Sequence, residues 1–353
     1  MANLLSDKAR ALRPYVPGEQ PKDKNLIKLN TNESPYPPSP KVRVALSEGN
    51  MDELRLYPDP DCTELKKAVS RFVDIPVENI FIGNGSDEIL AFAFAAFYWN
   101  KQVVFPEITY SFYPVYCDLF DIAMETVPMQ GDKVRLEKFI GCGKGVVLAN
   151  PNAPTGEYIP VRGIEEVVKS NPDHVVLVDE AYIDFGGESC AGLTRNHDNL
   201  LVVQTLSKSR ALAGLRVGFA FGDKTLISGL EMVKNSFNSY TVNRLSQQAA
   251  IAAMGDAAYN RKIQKWIMDT RDKTQKKLQS LGFHVTESMA NFIFARHPDM
   301  KGMELYSRLR EAGILVRHFD RPGIEDHIRI TVGTGEDMER LLAALGKIIE
   351  GGT

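Results

Sequence analysis

The chain has few of the features that mark metal-binding, membrane or nucleic-acid-binding proteins. It contains only four cysteines among 353 residues, scattered without a Cys-x-x-Cys pair, which argues against a zinc site or a disulfide scaffold. Its longest apolar run, Ile89 to Trp99, is too short for a transmembrane helix, which needs ~20 residues. A formal net charge of -3 gives no electrostatic reason to expect nucleic acid or an anionic membrane as partner. Charged residues within the first 13 positions argue against a signal peptide, so we expect a soluble cytoplasmic protein.

The pattern of apolar runs predicts an α/β fold with two domains. A length of 353 residues fits two domains at ~150 residues each. Between Asp61 and Tyr240, short runs that are apolar throughout alternate with helical patterns, which indicates a mostly parallel sheet with helices on both faces. The predicted strands are 80–82, 101–105, 145–148, 175–178, 200–203 and 217–221. We expect a large domain over 41–245 and a smaller α+β domain formed by a proline-rich arm, 1–40, together with 246–353.

A carboxylate ends one of the predicted buried strands. Asp179 directly follows the apolar run Val175 to Val178, where an unpaired charge is costly. It is either a helix N-cap or structural ion pair, or the partner of a protonated pyridine nitrogen in a cofactor. Tyr182, three residues later, either packs or contacts the phenolic oxygen of that ring. The lysine segment that follows favours the cofactor interpretation.

Lys208 lies in a hydroxyl-rich turn, in Thr205-Leu206-Ser207-Lys208-Ser209, shortly before Arg216. A lysine is a surface residue by default, but this setting suits an amine that forms an imine beside a phosphate. Upstream, Gly83-Asn84-Gly85-Ser86-Asp87 precedes a helix, and free N–H groups at a helix start can bind an anion. An ordinary capped helix is the alternative there. Ser207 and Arg216 provide a second wall for a phosphate site.

These segments, together with Asn150-Pro151-Asn152-Ala153-Pro154-Thr155-Gly156, resemble the fold-type I pyridoxal-phosphate enzymes. From about Arg13 to Gly333 the chain resembles the histidinol-phosphate aminotransferases. The resemblance implies Lys208, Asp179 and Tyr182 as catalytic residues and pyridoxal 5'-phosphate as cofactor, with no metal. It implies these cofactor contacts: Ser86, Asp87, Tyr110, Asn152, Asp179, Tyr182, Ser207, Lys208, Arg216 and, from the neighbouring subunit of a homodimer, Tyr57. One departure concerns Ala153, since many fold-type I aminotransferases have asparagine directly before Pro-Thr-Gly.

The same resemblance implies substrate contacts by Tyr15, Asn32, Arg317 and Arg329. A guanidinium group binds either a carboxylate or a phosphate. The implied reaction, in histidine biosynthesis, is transamination between L-histidinol phosphate and 2-oxoglutarate, which yields imidazole acetol phosphate and glutamate.

Three alternatives remain open at this point. A threonine-phosphate decarboxylase and an aromatic aminotransferase share the scaffold and the cofactor residues. A non-catalytic regulator that keeps cofactor affinity is disfavoured, because it normally carries an added DNA-binding domain, and this chain is neither long nor basic enough for one.

Overall fold

The computed structural model describes residues 4–21, 25–47 and 51–351. Its strands are β1 (Ile27–Lys28), β2 (Ile80–Gly83), β3 (Gln102–Pro106), β4 (Ala123–Val127), β5 (Gly145–Ala149), β6 (Val176–Asp179), β7 (Leu200–Thr205), β8 (Gly218–Phe221), β9 (His284–Val285), β10 (Phe292–Arg296), β11 (Ile314–Leu315), β12 (Arg317–His318) and β13 (His327–Thr331). Its α-helices are α1 (Asp7–Ala11), α2 (Pro40–Ser47), α3 (Thr63–Val73), α4 (Ser86–Ala93), α5 (Tyr113–Phe120), α6 (Val161–Ser170), α7 (Lys224–Phe237), α8 (Arg244–Met254), α9 (Ala257–Ser280), α10 (Gly302–Glu311) and α11 (Gly335–Glu350).

A seven-stranded sheet organises the first part of the chain, in the order β2-β8-β7-β6-β5-β3-β4. The strands from β4 through β3, β5 and β6 to β7 are parallel, whereas β8 is antiparallel to both β7 and β2. The predicted α/β fold with a mostly parallel sheet is confirmed. Because parallel strands end at the same edge, the residues that follow β5, β6 and β7 meet there.

Helices cover both faces of this sheet, and its central strands are therefore mostly apolar. Along β6, Val176 and Val178 pack into one buried cluster, whereas Leu177 between them packs into the cluster on the opposite face. The apolar run from Ile89 lies in α4 and in the π-turn over Phe94–Tyr98 that continues it.

A second core lies under a smaller antiparallel sheet with the order β12-β13-β10-β9. Side chains from α9, α10 and α11 fill this core, including Ile267, Leu309 and Leu341. The long helix α9 ends just before Gly282, whose φ of +87° favours glycine. Thr334 and Asp337 form a capping box that fixes the start of α11.

The proline-rich arm joins the second core. β1 pairs in parallel with β11, which places Ile27 beside Ile314, and Leu29 is buried in the same core. We propose on this basis that 1–40 and 246–353 form the small domain and 41–245 the large one. Helix α8 crosses that boundary and contributes Ala249 to a core of the large sheet.

Strand β4 was missed because its sequence has no apolar run. Four of its five residues are exposed, and it lies at one edge of the sheet with a neighbour on one side only. Within the described residues, no helix is both long and apolar enough to span a membrane.

Candidate active site

A cavity of about 820 Å³, open to solvent, lies at the carboxyl edge of the large sheet, where the small domain and the N-terminal arm meet it. It is lined by the predicted residues Tyr15, Asn32, Ser86, Asp87, Tyr110, Asp179, Tyr182, Ser207, Lys208, Arg216, Arg317 and Arg329. Asn152 and Tyr57 are the two predicted residues that do not line it.

Asp179 presents a buried carboxylate to this cavity. The residue is only 5% exposed, and among the described residues no lysine or arginine forms an ion pair with it. Its Oδ2 accepts a hydrogen bond from Tyr113 Oη at 2.9 Å, and its Oδ1 accepts one from the N–H of Ala181 at 3.2 Å. Burial raises the pKa of Asp179 to about 6, although these two hydrogen bonds oppose the shift. A cationic group in the cavity would therefore find a carboxylate without an ion-pair partner.

A wall of hydrogen-bond donors lies around the start of α4. Ser86 begins the helix, so its first N–H groups have no intrahelical acceptor. Arg216 packs against the turn before it, where a Cβ on Gly85 would lie 2.5 Å from Arg216 Nη2. The guanidinium donates to Asp87 Oδ2 at 2.8 Å and to Ser207 Oγ at 3.4 Å. This combination of helix start, hydroxyl and guanidinium fits a phosphate group.

Tyr110 is held beside this wall through the same carboxylate. Its Oη donates to Asp87 Oδ1 at 2.9 Å, so the two oxygens of Asp87 bind a tyrosine and an arginine at once. Tyr110 lines the cavity, as a residue that stacks on a ring must.

Lys208 faces the cavity from the turn after β7. Its Nζ lies 3.4 Å from the carbonyl oxygen of Thr31 in the N-terminal arm and 5.7 Å from the ring centroid of Tyr182. The Tyr182 hydroxyl accepts a hydrogen bond from Asn32 Nδ2 at 3.0 Å. Lysine, tyrosine and the arm are therefore in mutual contact.

Two arginines meet on the small-domain side of the cavity. The register of β12 and β13 places Arg317 directly opposite Arg329, and both guanidinium groups lie about 5.5 Å from the ring of Phe319. Arg329 donates to the carbonyl oxygen of Asn30 at 3.1 Å, while its buried Nε has no partner among the described residues. Burial lowers the pKa of Arg329. Adjacent cations with an unused donor make this part of the cavity suited to an anion.

The structure does not bring Asn152 to the cavity, in contrast to its predicted contact with a ring oxygen. Its side chain is fully buried and already bonded: Oδ1 accepts from Thr109, and Nδ2 donates to Ile108 O and Thr155 Oγ1. Ala153 lines the cavity instead. The alanine directly before Pro-Thr-Gly therefore removes the amide from this position, and Tyr182 is left as the candidate for that contact.

Tyr57 lies outside the cavity of its own chain. It is 78% exposed and stacks on Tyr240 with ring centroids 4.5 Å apart. Its predicted role depends on a neighbouring subunit.

The predicted set lacks several residues of the site, among them Tyr113, Asn30 and Thr31. Tyr113 touches Asp179, and Asn30 and Thr31 line the cavity with buried side-chain oxygens that have no partner among the described residues. The spacing of Tyr113, three residues after Tyr110 and at the start of a helix, was the available signal.

Comparisons with known proteins agree with this chemistry. The model of the family "Aminotransferase class I and II" matches residues 24–345. Histidinol-phosphate aminotransferase of Brachyspira hyodysenteriae is 51% identical over 353 residues, which cover 99% of this chain and 100% of that protein. Histidinol-phosphate aminotransferase 1 of Bordetella parapertussis is 52% identical over 353 residues, and the match covers 99% of this chain and 99% of that protein.

A solved structure shows the same fold. Histidinol-phosphate aminotransferase from Sinorhizobium meliloti, in complex with pyridoxal-5'-phosphate, superimposes with a TM-score of 0.90. The match covers 100% of this chain and 99% of that one at 23% sequence identity, so it supports the fold alone.

Asp179 should make the stability of the cofactor-free protein depend on pH. Its pKa is about 6 in the folded protein and ~3.9 in an unfolded chain, so between these values the folded state binds the extra proton. The contribution of this group to stability is therefore greatest below about pH 4 and falls as the pH rises through 6. When the pH rises from about 4 to about 7.5, the free energy of unfolding of Asp179→Asn should increase by about 3 kcal/mol relative to that of the wild type.

Urea unfolding at both pH values measures this gain. The control is Asp173→Asn, which removes a carboxylate from an exposed position and should show no such gain. An equal pH trend for both variants would mean that Asp179 carries no burial penalty.

Proposed function

Because the chain belongs to the class I and II aminotransferase family, we propose that it transfers the amino group of histidinol phosphate to 2-oxoglutarate, in histidine biosynthesis. The observation that carries the proposal is the pair Arg317 and Arg329 in the cavity that also contains Lys208 and Asp179. The products would be imidazole acetol phosphate and glutamate.

The cofactor is pyridoxal phosphate, and the residues of the cavity fit it. We assign the phosphate to the N–H groups of Ser86 and Asp87, with Ser207 and Arg216, because these donors converge at the start of α4. Asp179 would pair with the ring nitrogen, since it is a buried carboxylate without an ion-pair partner among the described residues.

The remaining cofactor contacts come from aromatic side chains. Tyr110, held by Asp87, would stack on the ring face. Tyr182, whose hydroxyl accepts from Asn32, can direct its own proton into the cavity toward the ring oxygen. When bound, the cofactor supplies an electron sink for the charge left by proton removal.

Lys208 would bind the cofactor covalently at rest and, once displaced by the substrate amine, act as the general base and acid at the substrate carbon. The carbonyl of Thr31, 3.4 Å from Nζ, can accept a hydrogen bond from the freed amine and hold it within the cavity. The N-terminal arm would therefore fix the position of the lysine amine between the two proton transfers.

The arginine pair explains how one site can serve two different substrates. Each guanidinium group can bind two oxygens of a phosphate or of a carboxylate. The donor would bring its phosphate to Arg317 and Arg329, and the acceptor would bring a carboxylate there. Tyr15, packed on Phe112 with centroids 4.8 Å apart, forms the neighbouring apolar wall, and Asn32 borders the same space.

Two rival reactions use the same cofactor residues. A threonine-phosphate decarboxylase would also use the arginine pair, but it needs no keto acid. An aromatic aminotransferase would leave one arginine without an anion, so the paired cations favour a phosphate donor.

A homodimer would give Tyr57 its role. Large apolar side chains are exposed in the sequence near Tyr57 and near its stacking partner Tyr240. They are Leu54 and Leu56 in the first segment and Met232 and Phe237 in the second. Such a surface is typical of a subunit contact. We propose that Tyr57 reaches the cofactor phosphate in the neighbouring subunit. A cytoplasmic location is proposed because all four cysteines are free thiols.

The donor can be tested in the first half of the reaction. Histidinol phosphate, added to the cofactor-loaded protein without a keto acid, should abolish the visible absorbance of the lysine-bound cofactor, and 2-oxoglutarate should restore it. Phenylalanine should abolish this absorbance only at a much higher concentration. Threonine phosphate should release no carbon dioxide, and its decarboxylation would instead favour the lyase.

A pair of variants shows whether the arginines select the donor. Arg317→Met should raise the histidinol phosphate concentration for half the absorbance change about tenfold or more, because a charge-assisted hydrogen bond is lost. Arg296→Met, on an exposed position of β10, should not change it. Equal behaviour of the two variants would remove Arg317 from the substrate site.

Hybrid dimers test the role of Tyr57 across subunits. One chain carries Lys208→Ala and has no active site of its own, so all activity comes from its wild-type partner. Adding Tyr57→Phe to the inactive chain should raise the pyridoxal phosphate concentration for half-saturation about tenfold, because the partner's site loses a hydrogen bond to phosphate.

Tyr158→Phe, placed on the inactive chain in the same way, is the matched control, since Tyr158 bonds to Glu188 O at another part of the surface. If Tyr57→Phe and Tyr158→Phe give the same half-saturation, Tyr57 does not act across the interface.

A further inference from the structure

Tyr113 lies beside Asp179 and has no part in the reaction proposed above. It begins α5, is fully buried, and donates from Oη to Asp179 Oδ2 at 2.9 Å. Among the described residues, this phenol is the one side-chain donor to the carboxylate that faces the cofactor ring, since the bond to Oδ1 comes from a backbone N–H.

Packing fixes the direction of this phenol. The ring of Tyr113 meets Tyr110 edge-on, with centroids 5.6 Å apart and planes at 87°. It also contacts Phe105 of β3 and Phe94, at centroid distances of 5.8 and 6.1 Å. A ring held on three sides cannot turn its hydroxyl away from Asp179, so the hydrogen bond is part of the resting architecture.

The phenol acts only as a donor here. Burial raises the pKa of Tyr113 well above its ordinary value, and the nearby Asp179 charge raises it further, so the hydroxyl keeps its proton. A donor to a carboxylate stabilises the ionised form of that carboxylate. Asp87 and Glu180 act in the opposite sense, because their negative charges raise the pKa of Asp179.

We propose that Tyr113 is a positioning residue that, by donating to Asp179 Oδ2, keeps the proton shared by Asp179 and the cofactor ring on the ring nitrogen. The inference rests on the proposed role of Asp179. A carboxylate that accepts a hydrogen bond is a weaker base, and it competes less well with the pyridine nitrogen for the shared proton. Within the described part of the chain, the second oxygen accepts only from the N–H of Ala181 and keeps lone pairs for the ring.

Loss of the phenol should therefore move the proton from the nitrogen to Asp179. A hydrogen bond to a charged group corresponds to about one to two pKa units. The charged groups and phenols around Asp179 are Tyr113, Asp87, Glu180, Lys208 and Tyr116, so the readout must report on the nitrogen itself.

The nitrogen chemical shift of 15N-labelled pyridoxal phosphate in the holoenzyme distinguishes a protonated from a neutral pyridine. In Tyr113→Phe, the pH at which the nitrogen loses its proton should fall by about one unit or more below the wild-type value. The rate of the half-reaction should fall with it, since a neutral ring is a weaker electron sink.

Tyr98→Phe is the matched control. Tyr98 is equally buried, but its hydroxyl lies 3.3 Å from the carbonyls of Val146 and Val175, away from Asp179. This variant should lose stability without changing the nitrogen midpoint. A purely structural role for Tyr113 would make the two variants alike.

The proposal is overturned if the nitrogen of Tyr113→Phe stays protonated over the same pH range as in the wild type. Asp179→Asn tests separately whether Asp179 acts on the ring nitrogen. If it also leaves the nitrogen unchanged, Asp179 itself has no role at the ring, and both claims fail. If Tyr113→Phe does not fold, Tyr113→His replaces it, because histidine keeps an N–H donor. The ring nitrogen should then keep its proton to a higher pH in Tyr113→His than in Tyr113→Leu. Equal midpoints in these two variants would overturn the proposal.

Discussion

The charge of Asp179, at the end of a buried strand, is the constraint on which the rest of the site depends. A carboxylate that is 5% exposed at the centre of a parallel sheet is costly unless something in the cavity compensates it. The fold places it there because β6 lies between β5 and β7, so the turns after three parallel strands surround its carboxyl end. The lysine, the donors for a phosphate and the ring contacts lie in these turns, at the start of α4 and, for Tyr110, in the segment after β3.

The small domain and the arm supply the other half of the site. β1 pairs with β11, and this pairing carries Thr31 and Asn32 over the lysine turn. The cross-strand pair of arginines comes from β12 and β13, directly beyond. In the function we propose, cofactor chemistry depends on the large sheet and the selection of substrate anions on the small one, and the arm links the two.

Much of the fold and of the site was predictable, because the predicted strands are apolar on both faces and the cofactor residues lie directly after them. β4 was not predictable from hydrophobicity, since an edge strand with exposed residues has no apolar run. Asn152 was assigned to the ring because an amide near Pro-Thr-Gly is common, but the direction of its side chain is set by Thr109 and Ile108, which are distant in sequence. Tyr113 was not predicted for the same reason, because it lies on α5 and its partner Asp179 lies on β6, distant in sequence.

The proposed site requires that Lys208, and no other lysine, hold the cofactor. Borohydride reduction of the cofactor-loaded protein makes the bond between lysine nitrogen and cofactor permanent, and mass spectrometry of a digest then locates it. We expect the added mass on the peptide that contains Lys208, with none in Lys208→Ala. Modification of a different lysine as the main product, or of none, would contradict the assignment of this cavity as the cofactor site.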